Sequence, residues 1–281
     1  MPLVPTASLV VPGAGVGVGA FNVITLEHAE AIVAGAASVD RPVILQISQN
    51  AVAFHGGQLG PIAQAAAAVA RSAPVDVALH LDHVESVALL RQAPGCGFGS
   101  VMADFSKMSY VDNVAATRDV VEFAHAHNLW VESELGTVGG KDGDPPLSPH
   151  APGSRTDPDE AARYAAATGV DGLAVAVGSS HAMTDRSASL DLALIRALRD
   201  AVPVPLVLHG SSGVPDGQLR DAVRSGIVKV NVGTALNVAF TGAVRQALLD
   251  DAAVVDPRRY LSKARDAMAA TVAHFLTVLA G

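Results

Sequence analysis

Eight short runs of Val, Ile and Leu, each followed by a polar turn and an Ala-rich segment, constrain this chain more than any other feature. They are GAFNVI (19–24), PVILQIS (42–48), VALHLD (77–82), SVMADF (100–105), LWVESEL (129–135), GLAVAV (172–177), VPLVLHG (204–210) and IVKVNV (227–232). The segments between them, such as EHAEAIVAGAASV, NVAATRDVVEFAHAHN and LDLALIRALRDAV, carry apolar residues three and four apart, the spacing of helices packed on a parallel sheet. Eight strand–helix units are the count of a TIM barrel, which uses about 250 residues. No linker interrupts the pattern, so residues 1–281 read as one α/β domain with 1–18 as a flexible lead-in. SKARDAMAATVAHFLTVLA places Ala264, Met268, Thr271, Val272, Phe275 and Leu279 on one face, as a closing helix needs. Only residues 136–158, rich in Gly, Pro and Ser, break the regularity; a long loop in a compact domain is usually functional, and this one is read as a mobile active-site loop. Asp157 and Pro158 then suit the N-cap and first turn of the next helix.

Composition narrows the function. Half of the residues are apolar, enough for a large core, and 27 acidic against 19 basic side chains give a net charge of −8. With no basic run, nucleic acid and anionic membrane are poor partners, and an anionic substrate has to be caught locally. Cys96 is the only cysteine, which rules out an internal disulfide and fits a reducing compartment; it reads as a small buried residue. The prolines of MPLVPTASLVVPGAG and the lack of an apolar stretch of about 20 residues argue against a signal peptide or membrane span, so the expected location is cytoplasmic. GAGVGVGAF has no preceding strand, and Gly13-x-Gly15 lacks the third glycine that dinucleotide binding needs.

Three histidines follow strand-like runs: His83 in ALHLDHVES, His181 in LAVAVGSSHAM and His209 in PLVLHGSSG. Neutral imidazoles suit zinc, and a catalytic zinc takes three protein ligands and keeps one position open. Asp82, beside His83, is placed to move protons on whatever the metal polarises. In a TIM barrel the C-terminal strand ends form the active site, and Asn22, Ser48, Asp104, Glu134 and Asn231 also fall there.

These motifs, AFNV, PVILQIS, HLDHVES, VESELGTVGG, LAVAVGSSHA, LVLHGSSG, KVNVGTAL and DPRRYL, resemble those of the class II, zinc-dependent ketose-bisphosphate aldolases from about residue 20 to the C-terminus. The resemblance implies that His83, His181 and His209 hold Zn2+ and that Asp82 is the acid/base on the C4 oxygen. Glu134 and Asp104 would support the ligands or form an alternative metal position. Gly210, Ser211, Ser212, Asn231, Val232, Gly233 and Thr234 match segments that hold the dihydroxyacetone-side phosphate, with room for a monovalent cation, Na+ or K+, nearby. Arg258 matches the residue that receives the far phosphate, with Ser48 close by. Asp142, in GGKDGD, stands where the family has a Glu that protonates the enediolate.

The implied reaction is reversible cleavage of a ketose 1,6-bisphosphate, fructose 1,6-bisphosphate first, into dihydroxyacetone phosphate and glyceraldehyde 3-phosphate. Tagatose 1,6-bisphosphate or another phosphorylated ketose is the alternative substrate. Alternatives of other kinds are a non-catalytic subunit of an aldolase complex and another metal-dependent barrel enzyme such as a hydrolase. The resemblance also implies a homodimer or homotetramer. One departure is local: where the family has glycine after the second histidine and a Tyr-Lys pair soon after, this chain reads His181-Ala182-Met183-Thr184-Asp185.

Overall fold

A computed structural model describes residues 3–136, 138–139 and 155–281. The strands are β1 (Val18–Asn22), β2 (Val43–Ser48), β3 (Val77–Val84), β4 (Ser100–Ala103), β5 (Trp130–Leu135), β6 (Gly172–Val175), β7 (Leu206–Leu208) and β8 (Ile227–Val232). Each pairs in parallel with the next and β8 closes on β1, which makes the TIM barrel. The helices are α1 (Leu26–Ser38), α2 (Gln49–Phe54), α3 (Leu59–Ser72), α4 (Val87–Leu90), α5 (Tyr110–Ala126), α6 (Pro158–Thr168), α7 (Leu192–Ala201), α8 (Asp216–Ser225), α9 (Thr234–Asp250) and α10 (Pro257–Leu279). Asp157 caps α6, accepting from the Glu160 N–H at 2.9 Å with Pro158 in the first turn. The 136–158 loop falls largely outside the described residues.

Residues 3–10 are not a flexible lead-in but are tied to the barrel. Val4 N–H donates to Val77 O at 2.9 Å, Thr6–Ser8 form a 3-10 turn, and the buried Thr6 hydroxyl lies 2.6 Å from that of Ser100. Leu9 and Val10 cover apolar side chains at the N-terminal end of the barrel, and that burial fixes the segment. Within the glycine-rich stretch Gly17 and Gly19 serve packing, whereas Gly13 and Gly15 have open space around them. A Cβ at Gly19 would meet Phe21 at 2.6 Å and Leu276 of α10 at 3.0 Å. Met268, Val272, Phe275, Leu276 and Leu279 bury one face of α10, at about 1.5–3 kcal/mol per side chain.

Strand alternation sorts the barrel interior into levels. Ala20, Ile44, Ala78, Met102, Trp130, Ala174, Val207 and Val228 form an apolar floor. Two residues further along their strands come Asn22, Gln46, His80, Asp104 and Glu132, and then Asp82 and Glu134, because inward-facing positions recur every second residue. The β7–β8 register shifts between Leu206↔Ile227 and Val207↔Lys229, so Val228 joins the floor while Lys229 and Asn231 take part in the polar levels above it.

Candidate active site

Alternation alone would send Asp82 and His83 to opposite faces of β3. The β3–β4 register shifts between Leu81 and Val84, and His83 takes φ +47°, which turns its ring into the barrel mouth beside Asp82. His209 follows β7, where Gly210 at φ +67° ends the strand. A Cβ on Gly210 would lie 2.5 Å from the Ser180 backbone, so glycine lets this turn press against the segment that carries His181. The three imidazoles converge, with ring centroids 4.6 Å apart for His83 and His209, 5.0 Å for His83 and His181, and 5.7 Å for His181 and His209. Gly139 O accepts from both the His181 N–H, at 2.7 Å, and the Ser180 hydroxyl, at 2.8 Å, which ties the start of the loop after β5 to this segment.

The partners of two rings fix where their protons sit. Asp104 Oδ2 lies 2.7 Å from His83 Nδ1; a carboxylate only accepts, so Nδ1 carries the hydrogen and Nε2 keeps its lone pair. Glu132 Oε1 lies 2.8 Å from His209 Nε2. Burial pushes the Glu132 carboxyl up, but Lys229, His209 and His80 outweigh burial and bring it down to about 2. Glu132 is therefore an acceptor, and His209 Nδ1 keeps its lone pair. Those two nitrogens, His83 Nε2 and His209 Nδ1, face each other at 3.0 Å. Facing lone pairs suit a cation between them, and one ligand atom from each of the three histidines lies within 4.8 Å of the others. Asp82, Asp104, Glu132 and Glu134 are buried around the histidines with Lys229 as the one buried Lys or Arg among the described residues, a balance that a divalent metal would offset. The donor set fits zinc.

The pocket above this cluster has a volume of about 630 Å3, within the range of small-molecule sites. Asp82 lines it, and its Oδ1 is buried with no hydrogen-bond partner among the described residues. Burial raises the Asp82 carboxyl, but His83, His80 and Lys229 hold it well below the usual carboxylate range. Gly210, Ser211, Ser212, Gly233 and Thr234 form the wall at β7 and β8, where the start of α9 adds its N-terminal dipole and the Ser212 hydroxyl accepts from the Ala235 N–H at 3.0 Å. Such a turn and helix start suit an anion.

Asn22, whose side-chain oxygen accepts from Gln46 at 2.6 Å, lines the opposite wall together with Ser48, which also caps α2. Asn231 and Ala182 line the pocket, whereas Val232 is buried in the core. Glu134 Oε2 sits 3.7 Å from His209 Nδ1 and, with His83 and Asp104, forms a second possible ligand group. Arg258 does not reach this pocket. Its side chain is 88% exposed at the start of α10 and pairs at 2.6 Å with Asp256, the cap of that helix. Asp142 lies outside the described residues.

The match to known proteins covers nearly the whole chain. The family model for class-II fructose-bisphosphate aldolase matches residues 12–281. The chain belongs to that family. The aldolase is 39% identical to a curated fructose-bisphosphate aldolase of Geobacillus stearothermophilus over 259 residues, 91% of this chain and 88% of the relative. It superposes on the YdjI aldolase of Escherichia coli K12 with a TM-score of 0.81 at 29% identity, covering 94% and 92% of the two chains. The Campylobacter jejuni fructose-bisphosphate aldolase shares the fold, with a TM-score of 0.77 at 23% identity over 94% and 90%.

The aldolase also holds polar residues that lie within the quoted motifs but to which the sequence alone assigned no role. Lys229 Nζ donates to Glu132 Oε2 at 2.7 Å and to Asn231 Oδ1 at 2.8 Å, all three side chains being buried. His80 Nδ1 is 2.8 Å from the Ser100 hydroxyl, and its Nε2 faces Asp82 at 3.7 Å. The signal was present: Glu132 precedes Glu134, Lys229 precedes Asn231 and His80 precedes Asp82 by two residues, the inward period of a barrel strand. No described helix is long and apolar enough to cross a membrane.

Proposed function

We propose that this chain is a zinc aldolase that reversibly cleaves fructose 1,6-bisphosphate into dihydroxyacetone phosphate and glyceraldehyde 3-phosphate. The supporting observation is the convergence of His83, His181 and His209 next to the buried acceptor Asp82, beneath a wall of glycine- and serine-rich backbone suited to phosphate. His83, His181 and His209 hold the metal. Zinc, when bound, supplies Lewis-acid polarisation of the ketose carbonyl and offsets the charge left on the dihydroxyacetone half.

The chain's own groups do the rest. Gly210, Ser211, Ser212, Gly233 and Thr234 hold the phosphate of that half and thereby set the sugar's register in the pocket. Asp82, ionised and with an open oxygen, takes the proton from the C4 hydroxyl as the C3–C4 bond breaks, and returns it in the condensation direction. Asp104 and Glu132 orient the rings of His83 and His209. By family resemblance Asp142 delivers the proton to C3.

Tagatose 1,6-bisphosphate differs at C4, where Asp82 acts, so the deciding experiment compares substrates. The purified protein is assayed for bound zinc and then for cleavage of a panel of phosphorylated ketoses. Stoichiometric zinc with cleavage of fructose 1,6-bisphosphate is the expected result. A zinc-loaded protein that cleaves no phosphorylated ketose would overturn the proposal, and a preference for tagatose 1,6-bisphosphate would overturn its substrate.

A further inference from the structure

We propose that Lys229 is a positioning residue for the metal centre, acting through Glu132 and Asn231 on the ring of His209. The inference rests on the metal-site reading above. Three contacts form the chain of action: Lys229 Nζ to Glu132 Oε2 at 2.7 Å, Lys229 Nζ to Asn231 Oδ1 at 2.8 Å, and Glu132 Oε1 to His209 Nε2 at 2.8 Å. Asn231 Nδ2 also lies 3.1 Å from His209 Nε2.

The ammonium decides the orientation of every group in this set. It cannot accept, so Asn231 must turn its oxygen toward Lys229, and its amide nitrogen is left facing His209. The amide therefore offers His209 no acceptor, and Glu132 is the group that takes the Nε2 hydrogen. Held at its other oxygen by Lys229, Glu132 is fixed in position to do so. Nδ1 is then the nitrogen left for a metal, on the side where His83 Nε2 lies 3.0 Å away.

A purely structural purpose is a poor account of Lys229. Replacing a buried ion pair by apolar groups of similar volume is often neutral or stabilising, and the floor directly below is built from Ala, Val, Ile, Met and Trp. A methionine would fill the same space without a charge to bury. What the lysine adds is direction: it specifies which nitrogen of His209 points into the mouth. Residues that orient a ligand in this way typically change metal affinity by 10–100-fold when replaced.

The test uses Lys229→Met and Glu132→Gln in the full chain, with two readouts. Zinc affinity is measured by competition with a chromogenic chelator, and the His209 ring is observed in the metal-free chain by nitrogen-15 NMR. The expected result is a single Nε2–H form of His209 in the parent, loss of that single form in Lys229→Met, and a 10–100-fold weaker zinc affinity in the same variant. A Lys229→Met chain that keeps the Nε2–H form and binds zinc within threefold of the parent would overturn the proposal. If Lys229→Met fails to fold, Glu132→Gln, which keeps the volume, carries both readouts with the same criteria. A parent chain that binds no zinc would sink the metal-site reading, whereas the ring readout still decides whether Lys229 directs His209.

Discussion

Replacing Ala182 by glycine is expected to stabilise the chain and to improve its hold on phosphorylated substrate. Ala182 follows His181, lines the pocket and has φ +58°. An L residue in that left-handed region is strained by about 1–2 kcal/mol because its Cβ crowds the following carbonyl. Glycine escapes this strain, but its extra freedom in the unfolded chain cancels about 0.4–1 kcal/mol of the gain. The balance is roughly 0–1.6 kcal/mol, centred on about 0.8, in favour of Ala182→Gly, worth about 2–3 °C in Tm at the centre of that range. Denaturant unfolding of the metal-free protein is the appropriate assay, since zinc bound to the native state would add its own linkage. Ala182→Val is the control, because a β-branched residue is worse than alanine at positive φ. Removing the Cβ also opens the backbone beside His181 to an incoming anion, so KM for a bisphosphate should fall with kcat little changed. A glycine variant less stable than the parent, or no more stable than Ala182→Val, would refute the strain assignment.

Asp82→Ala should retain zinc and lose roughly 10²–10⁴-fold in kcat, the usual worth of a positioned acid/base; a loss below tenfold would point to another base. Chelation of zinc should abolish turnover, and borohydride should trap no substrate on the protein; full activity after confirmed metal loss would sink the mechanism. Tyr164→Phe should cost about 0.5–1.5 kcal/mol, because the phenol bonds the buried side chains of Asn113, Thr117 and Ser133 at 2.7–2.9 Å, while Thr117 keeps its bond to Asn113 and Ser133 its bond to Ala103 O. Burial pushes that phenol up to about 12 from its ordinary 10, so the unfolded chain ionises first as pH rises. The parent should therefore lose stability between about pH 10 and pH 12, and Tyr164→Phe should flatten that part of the curve; identical slopes would count against the assignment.

The strands were legible because each is a short apolar run, and seven of the eight start within one residue of the expected place. The eighth difference is instructive: β7 shrinks to Leu206–Leu208 because Gly210 turns the chain out, a departure visible only once Ser180 is beside it. Asp82, His83, His181 and His209 were legible as polar residues ending apolar runs. Glu132, Lys229 and His80 were not, because attention to strand ends misses the residue one pleat lower, although it faces the same way. Leu9 and Val10 were passed over because their turn-rich neighbourhood hides a hydrophobic pair with a specific place to pack. Arg258 was placed by its neighbours in sequence, while Asp256, two residues away, provides a partner that no motif registers.

The left-handed turn at His83 has a consequence for how this centre can vary. In the proposed mechanism the proton acceptor Asp82 and the metal ligand His83 are consecutive residues, so a single peptide unit sets the distance between them. Loops around the mouth can lengthen or change charge and thereby admit another sugar without disturbing that spacing. Within β3, by contrast, an inserted or deleted residue would displace base and ligand together. The spacing of base and ligand and the choice of substrate therefore occupy separable parts of the backbone: the first is set within one kinked strand, the second distributed over the rim.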